Sequence, residues 1–174
     1  MRDVGSIAQP DPLAYFLTWT TYGSWLPGDE RGWVDGQGGM HVAEPLRAAA
    51  ARRNMKEHAV LLAGPQRVAV ERSIAAHCGV RGWHLHAAQC LTQHVHVVVT
   101  AVTASPEEVL RHLKAWCTRA LRQMDRGKES DAARRRWWTE GGSRRHVFRE
   151  GDLASVIAYV TECQGGPTPR PPSP

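Results

Sequence analysis

Two pairs of histidines have the spacing of metal ligands on a β-strand. His94-Val95-His96 precedes a run of valines, and His84-Leu85-His86 lies just upstream of it. Side chains alternate along a strand, so the two imidazoles of one pair point to the same face, about 7 Å apart. Two imidazoles at that spacing can converge on one metal ion, although such pairs also occur as ordinary strand residues.

The relation between the two pairs depends on how the strands that carry them are paired. If the sum of paired residue numbers is even, all four histidines share one face, and a four-histidine site of a zinc-dependent hydrolase is conceivable. If the sum is odd, the pairs lie on opposite faces. The sequence leaves both registers open.

Tyr159 is a second candidate for chemistry, as a nucleophile. It is one of three tyrosines. At 100° per residue it lies about 110° from the centre of the apolar stripe of the last predicted helix, at the edge of that stripe. This position is typical of a boundary tyrosine as well as of an active one. Glu162, about one turn further on, could offer an oxygen ligand near the phenol.

Strands and helices that position these residues follow from periodicity and turn signals. Residues 83–91 and 94–101 are predicted to be strands joined by a tight connection at Thr92 and Gln93, and residues 15–20 a first strand. The last helix begins at Gly151 and Asp152 and is predicted to end at Gly165-Gly166.

The remaining elements complete one α/β domain. Ser105-Pro106 is a strong helix start, and Pro65 begins a helix that ends near Cys78-Gly79. Residues 27–40 and 125–136 are predicted loops, 44–64 include helical stretches, and 144–148 form a short edge strand. The order predicts an α+β sandwich, with helices on an antiparallel, ferredoxin-like sheet. We expect a single domain at 1–166 and a disordered, proline-rich tail at 167–174.

The composition excludes several classes of protein. The chain has 174 residues, 42% of them hydrophobic and 22% charged, the usual balance of a folded domain. No apolar run approaches the roughly 18 residues of a membrane helix, so we expect no membrane partner and a cytoplasmic location. The four cysteines form no Cys-x-x-Cys pair, which argues against a zinc ribbon and for reduced thiols.

The chain has a net charge of +5. Its basic residues are concentrated in the segment 134–149 and on one flank of the helix that begins at Ser105-Pro106. Tryptophans interleave with the arginines of the segment, as stacking on unpaired bases and contact with phosphates would require. The predicted DNA-binding residues are Arg111, Lys114, Arg122, Arg134, Arg135, Arg136, Trp138, Arg144, Arg145 and Arg149. The alternative is an arginine-rich loop that is merely solvated, with Trp137 and Trp138 in the core.

Taken together, these features resemble the HUH nucleases, specifically the IS200/IS605-like (Y1) tyrosine transposases and their REP-associated relatives. The similarity extends roughly from residue 15 to 165. Its most specific parts are 17–28 (LTWTTYGSWLPG) and 159–164 (YVTECQ); residues 82–99 and 138–145 belong to it as well.

The resemblance implies an HUH nuclease-like fold and a role for each candidate residue. Tyr159 would be the nucleophile, and His94 and His96 the metal ligands, which leaves His84 and His86 structural. The family places an amide or similar group four residues after the tyrosine, where this chain has Cys163. Glu162 and Gln164 therefore both remain candidates for the third ligand.

The family resemblance also implies a cofactor and partners. The cofactor would be a divalent cation, Mn²⁺ or Mg²⁺, with Mn²⁺ the better match to two imidazoles. The partner would be single-stranded or hairpin DNA, in a bacterial-type, nucleoid-associated setting. Homodimers are common in the family. The alternatives are a domesticated hairpin-binding relative, the four-histidine hydrolase, and a basic interaction domain without catalysis.

Overall fold

The computed structural model describes residues 11–35, 39–126 and 134–162. Its main sheet has four strands, β1 (Ala14–Thr20), β4 (His84–Cys90), β5 (His94–Thr100) and β6 (Ser143–Val147). A small hairpin is formed by β2 (Trp33–Val34) and β3 (Met40–His41). The described helices are α1 (Pro45–Arg53), α2 (Gly64–Arg81), α3 (Pro106–Asp125) and α4 (Glu150–Glu162).

The strand order of the main sheet is β4-β5-β1-β6, and every neighbouring pair is antiparallel. The helix α2 connects β1 to β4 across the sheet, and α3 connects β5 to β6 in the same way. This βαββαβ path is the ferredoxin-like arrangement, and α4 is added after it. The predicted fold class is therefore confirmed.

Both faces of the central strands are covered by helices, which explains the unbroken valine run of β5. One face packs on α2 and α3 through buried residues that include Leu17, Trp19, Val97, Ile74 and Leu113. The other face packs on α4 through a smaller cluster that comprises Ala14, Phe16, Ala87, Val98, Val147, Val156 and Val160. We call the second surface the α4 face of the sheet.

Local signals set most of the element boundaries. The Ser105 hydroxyl accepts a hydrogen bond from the backbone N–H of Glu108 at 3.2 Å and caps α3, as predicted. The helix α2, in contrast, continues past the predicted end at Cys78-Gly79 to Arg81. It ends there because Gly82 adopts the left-handed conformation (φ 66°) that only glycine takes without strain.

The segment 27–40 differs from its prediction as a plain loop, because it contains β2 and the first residue of β3. The predicted edge strand is confirmed as β6, and the helical stretch near residues 44–64 as α1. Residues 127–133 of the predicted loop, Cys163, Gln164, the glycines at 165–166 and the tail lie outside the described residues. None of the described helices combines the length and the apolarity that a membrane span requires.

Candidate active site

His94 and His96 lie on the α4 face of the central strand β5. Their paired residues on β1 are Thr20 and Thr18, whose side chains share that face. The two imidazole rings are 4.8 Å apart between centroids and inclined at 73°. The Nε2 atoms of both rings are buried and have no hydrogen-bond partner within the described residues. Two buried imidazole nitrogens on adjacent rings form a donor set that fits a transition-metal ion when both are in the tautomer that leaves Nε2 unprotonated.

Burial keeps the His96 ring neutral. The side chain is 4% exposed, and this desolvation, helped by the neighbouring His94, lowers the pKa of His96 to about 4. Burial, followed by the charge of Arg31, also lowers the pKa of His94. Both imidazoles are thus available as neutral ligands at pH 7.

Thr18 is the residue that orients the His96 ring. Its Oγ1 atom is hydrogen-bonded to Nδ1 of His96 at 2.9 Å. When Nδ1 carries the proton and donates it to Thr18, Nε2 keeps its lone pair for a metal. Sequence reasoning missed this role, since it depends on the pairing of β1 with β5. The only signal in the sequence was the alternation of polar and apolar residues at Thr18-Trp19-Thr20.

Tyr159 is brought to the histidines by α4. Val156 and Val160 of this helix are buried against the sheet, and Tyr159 lies at the edge of the contact, half-buried. Its ring centroid is 5.6 Å from that of His96 and 6.0 Å from that of Phe16, in edge-to-face arrangements. A phenol, two imidazoles and the Thr18 hydroxyl therefore meet on one side of the sheet.

The four-histidine alternative is wrong. His84 is paired with Thr100 at the far end of β5, and His86 lies at a bulge and is hydrogen-bonded to the Thr100 hydroxyl at 2.8 Å. Six residues of strand separate Thr100 from His94, which is about 20 Å. The antiparallel hairpin thus puts the two pairs at opposite ends, and neither register considered for the sequence holds along the whole strand.

Glu162 and Gln164 stay predictions for the third metal ligand. No group of three or more histidine, cysteine, aspartate or glutamate side chains within the described ranges is arranged to hold a metal. Glu162 is the exposed last residue of α4. Gln164, the other candidate, lies outside the described residues.

Among the predicted DNA-binding residues, Arg144 and Arg145 are separated by the sheet. Arg145 is paired with Phe16 and lies on the α4 face, half-buried, with no ion pair among the described residues. Arg144 is paired with Leu17 on the opposite face and contacts Glu107 of α3 at 3.4 Å. Only Arg145 therefore shares a face with Tyr159 and His96.

Other members of the predicted basic set are engaged with the protein. The ammonium of Lys114 donates to the backbone carbonyls of Thr139 and Gly141 at 2.6 and 2.8 Å, and burial lowers its pKa to about 8. Arg134 donates to the carbonyl of His58 and lies 3.5 Å from Glu57.

The carboxylate of Glu57 also accepts from the backbone N–H groups of Arg135 and Arg136. Trp137 is buried, and Trp138 packs against Trp19 while its Nε1 donates to Thr118. The side chains of Arg111, Arg122 and Arg149 are exposed, on α3 and just before α4.

Comparison with known proteins finds solved structures of similar fold. No protein-family model and no curated protein matches the chain. One solved structure, a REP-associated tyrosine transposase bound to a REP hairpin, aligns with a TM-score of 0.50 and 12% identity over 92% of this chain and 70% of that chain. A candidate transposase from Deinococcus radiodurans R1 aligns with a TM-score of 0.47 and 13% identity over 93% and 98% of the two chains.

The chain has the fold of the REP-associated tyrosine transposase, as its sequence resemblance implied. An identity of 12% establishes the fold alone, and an activity has to follow from the residues of the site.

Proposed function

We propose that this protein is a metal-dependent endonuclease of the tyrosine-transposase kind, which cleaves and rejoins single-stranded DNA through Tyr159. The observation that carries this proposal is the contact between the Tyr159 and His96 rings, 5.6 Å apart. Beside it lie two buried Nε2 atoms that have no hydrogen-bond partner in the described part of the chain. A phenol next to a two-imidazole donor set has a chemical use in phosphoryl transfer, whereas a purely structural tyrosine needs no such neighbours.

The residues of the site divide the chemistry between them. His94 and His96 would hold a divalent cation, Mn²⁺ or Mg²⁺, with Thr18 fixing the tautomer of His96. When bound, the cation would polarise the scissile phosphate. The Oη atom of Tyr159 attacks phosphorus and loses its proton, while the bond to the 3′ oxygen breaks and that oxygen leaves as a protonated hydroxyl. The product is a 5′-phosphotyrosine, which a 3′-hydroxyl can later attack to rejoin the strand.

Activation of the phenol is the main energetic demand of this mechanism. An ordinary phenol has a pKa of about 10, so roughly one in a thousand is ionised at pH 7, and ionisation there costs about 4 kcal/mol. Positive charge near the phosphate lowers that cost by stabilising the charge that develops in the transition state. Arg145 would add to this effect, since it lies on the same face beyond Phe16.

Hairpin DNA is the proposed substrate. The solved structure with the shared fold is described as bound to a REP hairpin, and the net charge of +5 suits a phosphate backbone. On the α4 face, Arg145 of β6 could contact the phosphates of a DNA strand that crosses the site. Dimer formation stays a prediction, as does the third ligand at Glu162 or Gln164.

Adduct formation tests the proposal directly. The protein is incubated with end-labelled hairpin DNA and Mn²⁺, and the products are separated on a denaturing gel. We expect a covalent protein–DNA adduct for the wild type and none for Tyr159→Phe, which should still bind the hairpin. Tyr22→Phe is the matched control and should retain the adduct, because the Tyr22 hydroxyl accepts from the backbone N–H of Lys56 and its ring packs against the core on the α2 and α3 side of the sheet. Cleavage by Tyr159→Phe at the wild-type rate would refute the role of Tyr159.

Binding without cleavage by the wild type has a different meaning. If the hairpin binds tightly but neither adduct nor cut strand forms with Mn²⁺ or Mg²⁺, the protein is a hairpin-binding relative that no longer processes DNA. Transposition itself is a separate property, because it requires the flanking DNA of a mobile element.

A further inference from the structure

Gln89 occupies a position on β4 that the sequence did not single out. It is the paired residue of His96 in the β4–β5 ladder, beyond the bulge that follows Leu85. Residues paired across an antiparallel ladder project from the same face, with Cβ atoms about 4.5–5.5 Å apart. Gln89 therefore extends from the α4 face directly beside His96, and its Oε1 atom is buried.

A groove connects Gln89 with the other histidine. This groove, of about 880 Å³, lies along the edge strand β4 and the turn that leads into β5. Gln89 and His94 both line it, and Val160 and Thr161 close it from the last turns of α4. Gln89 is thus paired with His96 in the ladder and shares the lining of the groove with His94.

The chemistry of a glutamine amide suits a metal ion held by two imidazoles. Two imidazoles alone leave a divalent cation short of protein ligands, and no third histidine, cysteine or acidic side chain joins them within the described ranges. Amide carbonyl oxygens are hard ligands that Mn²⁺ and Mg²⁺ accept readily. A ligand on β4 would also be held by a regular ladder, whereas Glu162 is exposed at the end of a helix.

We propose that the Oε1 atom of Gln89 is a ligand of the metal ion held by His94 and His96. This inference rests on the proposed function for the identity of the ion. It assigns the oxygen ligand to the strand beside the histidine pair, rather than to the helix of Tyr159. Cys163 would then be compatible with metal binding, because Gln89 would supply the amide that the family places four residues after the tyrosine.

Titration calorimetry of the metal-free protein with Mn²⁺ tests the assignment without DNA. We expect Gln89→Ala to lower Mn²⁺ affinity at least about tenfold. Loss of a residue that only hydrogen-bonds a metal ligand already lowers metal affinity about 10–100-fold. Gln89→Glu should restore or raise the affinity, because it supplies a carboxylate oxygen at the same place. Gln123→Ala is the matched control and should bind as the wild type does, since Gln123 is exposed on α3, on the other side of the sheet.

Folding is checked by thermal unfolding of each metal-free variant. If alanine prevents folding, Gln89→Asn keeps the amide, shortens its reach, and should also lower the affinity. Wild-type affinity in Gln89→Ala, together with lost binding in His94→Ala, would overturn the assignment and leave the proposed function standing. Failure of Gln89→Glu to restore a lost affinity would overturn it as well. Unchanged Mn²⁺ binding in every variant, His94→Ala included, would overturn the proposed metal site itself.

Discussion

Arg144 and Arg145 are neighbours of the same residue type, yet β6 directs them to opposite faces of the sheet. This makes them a matched pair for locating the DNA. If the strand crosses the α4 face beside Tyr159, Arg145→Ala should weaken hairpin binding and Arg144→Ala should not. Both substitutions remove one positive charge, so a difference between them cannot come from net charge.

The expected magnitude follows from the surroundings of each guanidinium. Arg145 is half-buried without an ion pair in the described part of the chain, so a phosphate would be its charged partner. A charge-assisted hydrogen bond contributes about 1.5–3 kcal/mol, and we expect the lower end here, a loss of about tenfold in affinity. Arg144 is 40% exposed and already lies 3.4 Å from Glu107, so its loss should change affinity by less than about twofold.

Salt dependence separates a phosphate contact from an indirect effect. Anisotropy of a labelled hairpin is followed from about 50 to about 200 mM salt, with EDTA present to prevent cleavage. Each phosphate contact on single-stranded DNA contributes about 0.7 to the slope of log K against log salt. Arg145→Ala should reduce the slope by about that amount, and Arg145→Lys should retain it. Equal losses from the two alanine variants, or a larger loss from Arg144→Ala, would refute the assignment of DNA to the α4 face.

Two further predictions concern the histidines. Thr18→Val removes the hydrogen bond to Nδ1 of His96 and should lower Mn²⁺ affinity about 10–100-fold by calorimetry; Thr100→Val, which removes the same kind of bond from His86, should not. Because the folded-state pKa of His96 is about 4 against an ordinary 6.5, the unfolded chain takes up the proton first. In EDTA, the stability contributed by neutral His96 is therefore complete above about pH 6.5 and falls by about 3 kcal/mol towards pH 4. Urea unfolding should show a shallower pH dependence in His96→Asn than in the wild type.

These two predictions have distinct contradictory outcomes. Wild-type Mn²⁺ binding by Thr18→Val would mean that the His96 tautomer does not depend on this hydrogen bond. A pH dependence of stability that survives in His96→Asn would assign the acid sensitivity to other groups. The histidines whose pKa values burial also lowers, His77, His86 and His94, are then the first to be examined.

Local sequence determined the elements that carry the site. Alternation along a strand is a property of the backbone, so His94-Val95-His96 by itself placed both imidazoles on one face. The Ser105 cap fixed the start of α3, because its hydrogen bond spans only three residues. The apolar stripe of α4 likewise placed Tyr159 at the edge of a buried surface.

Tertiary structure decided which residues meet, because contacts between strands depend on register and chain path. The sequence around His84 and His94 does not indicate which histidine pair faces the helix of Tyr159. The antiparallel hairpin separates the two pairs, and α4 packs beside His96. The basic segment is divided in the same way. Arg144 and Lys114 are engaged by Glu107 and by backbone carbonyls that are distant in sequence.

The partners of the two histidines were also beyond the reach of the sequence. Thr18 and Gln89 lie on the strands that flank β5, and each meets His96 only through the pairing of that strand. Side-chain alternation repeats every two residues, so a shift of one residue in either ladder would turn the partner to the other face. The sequence thus determined the periodicity of each element, and packing around the sheet decided which side chains share the site.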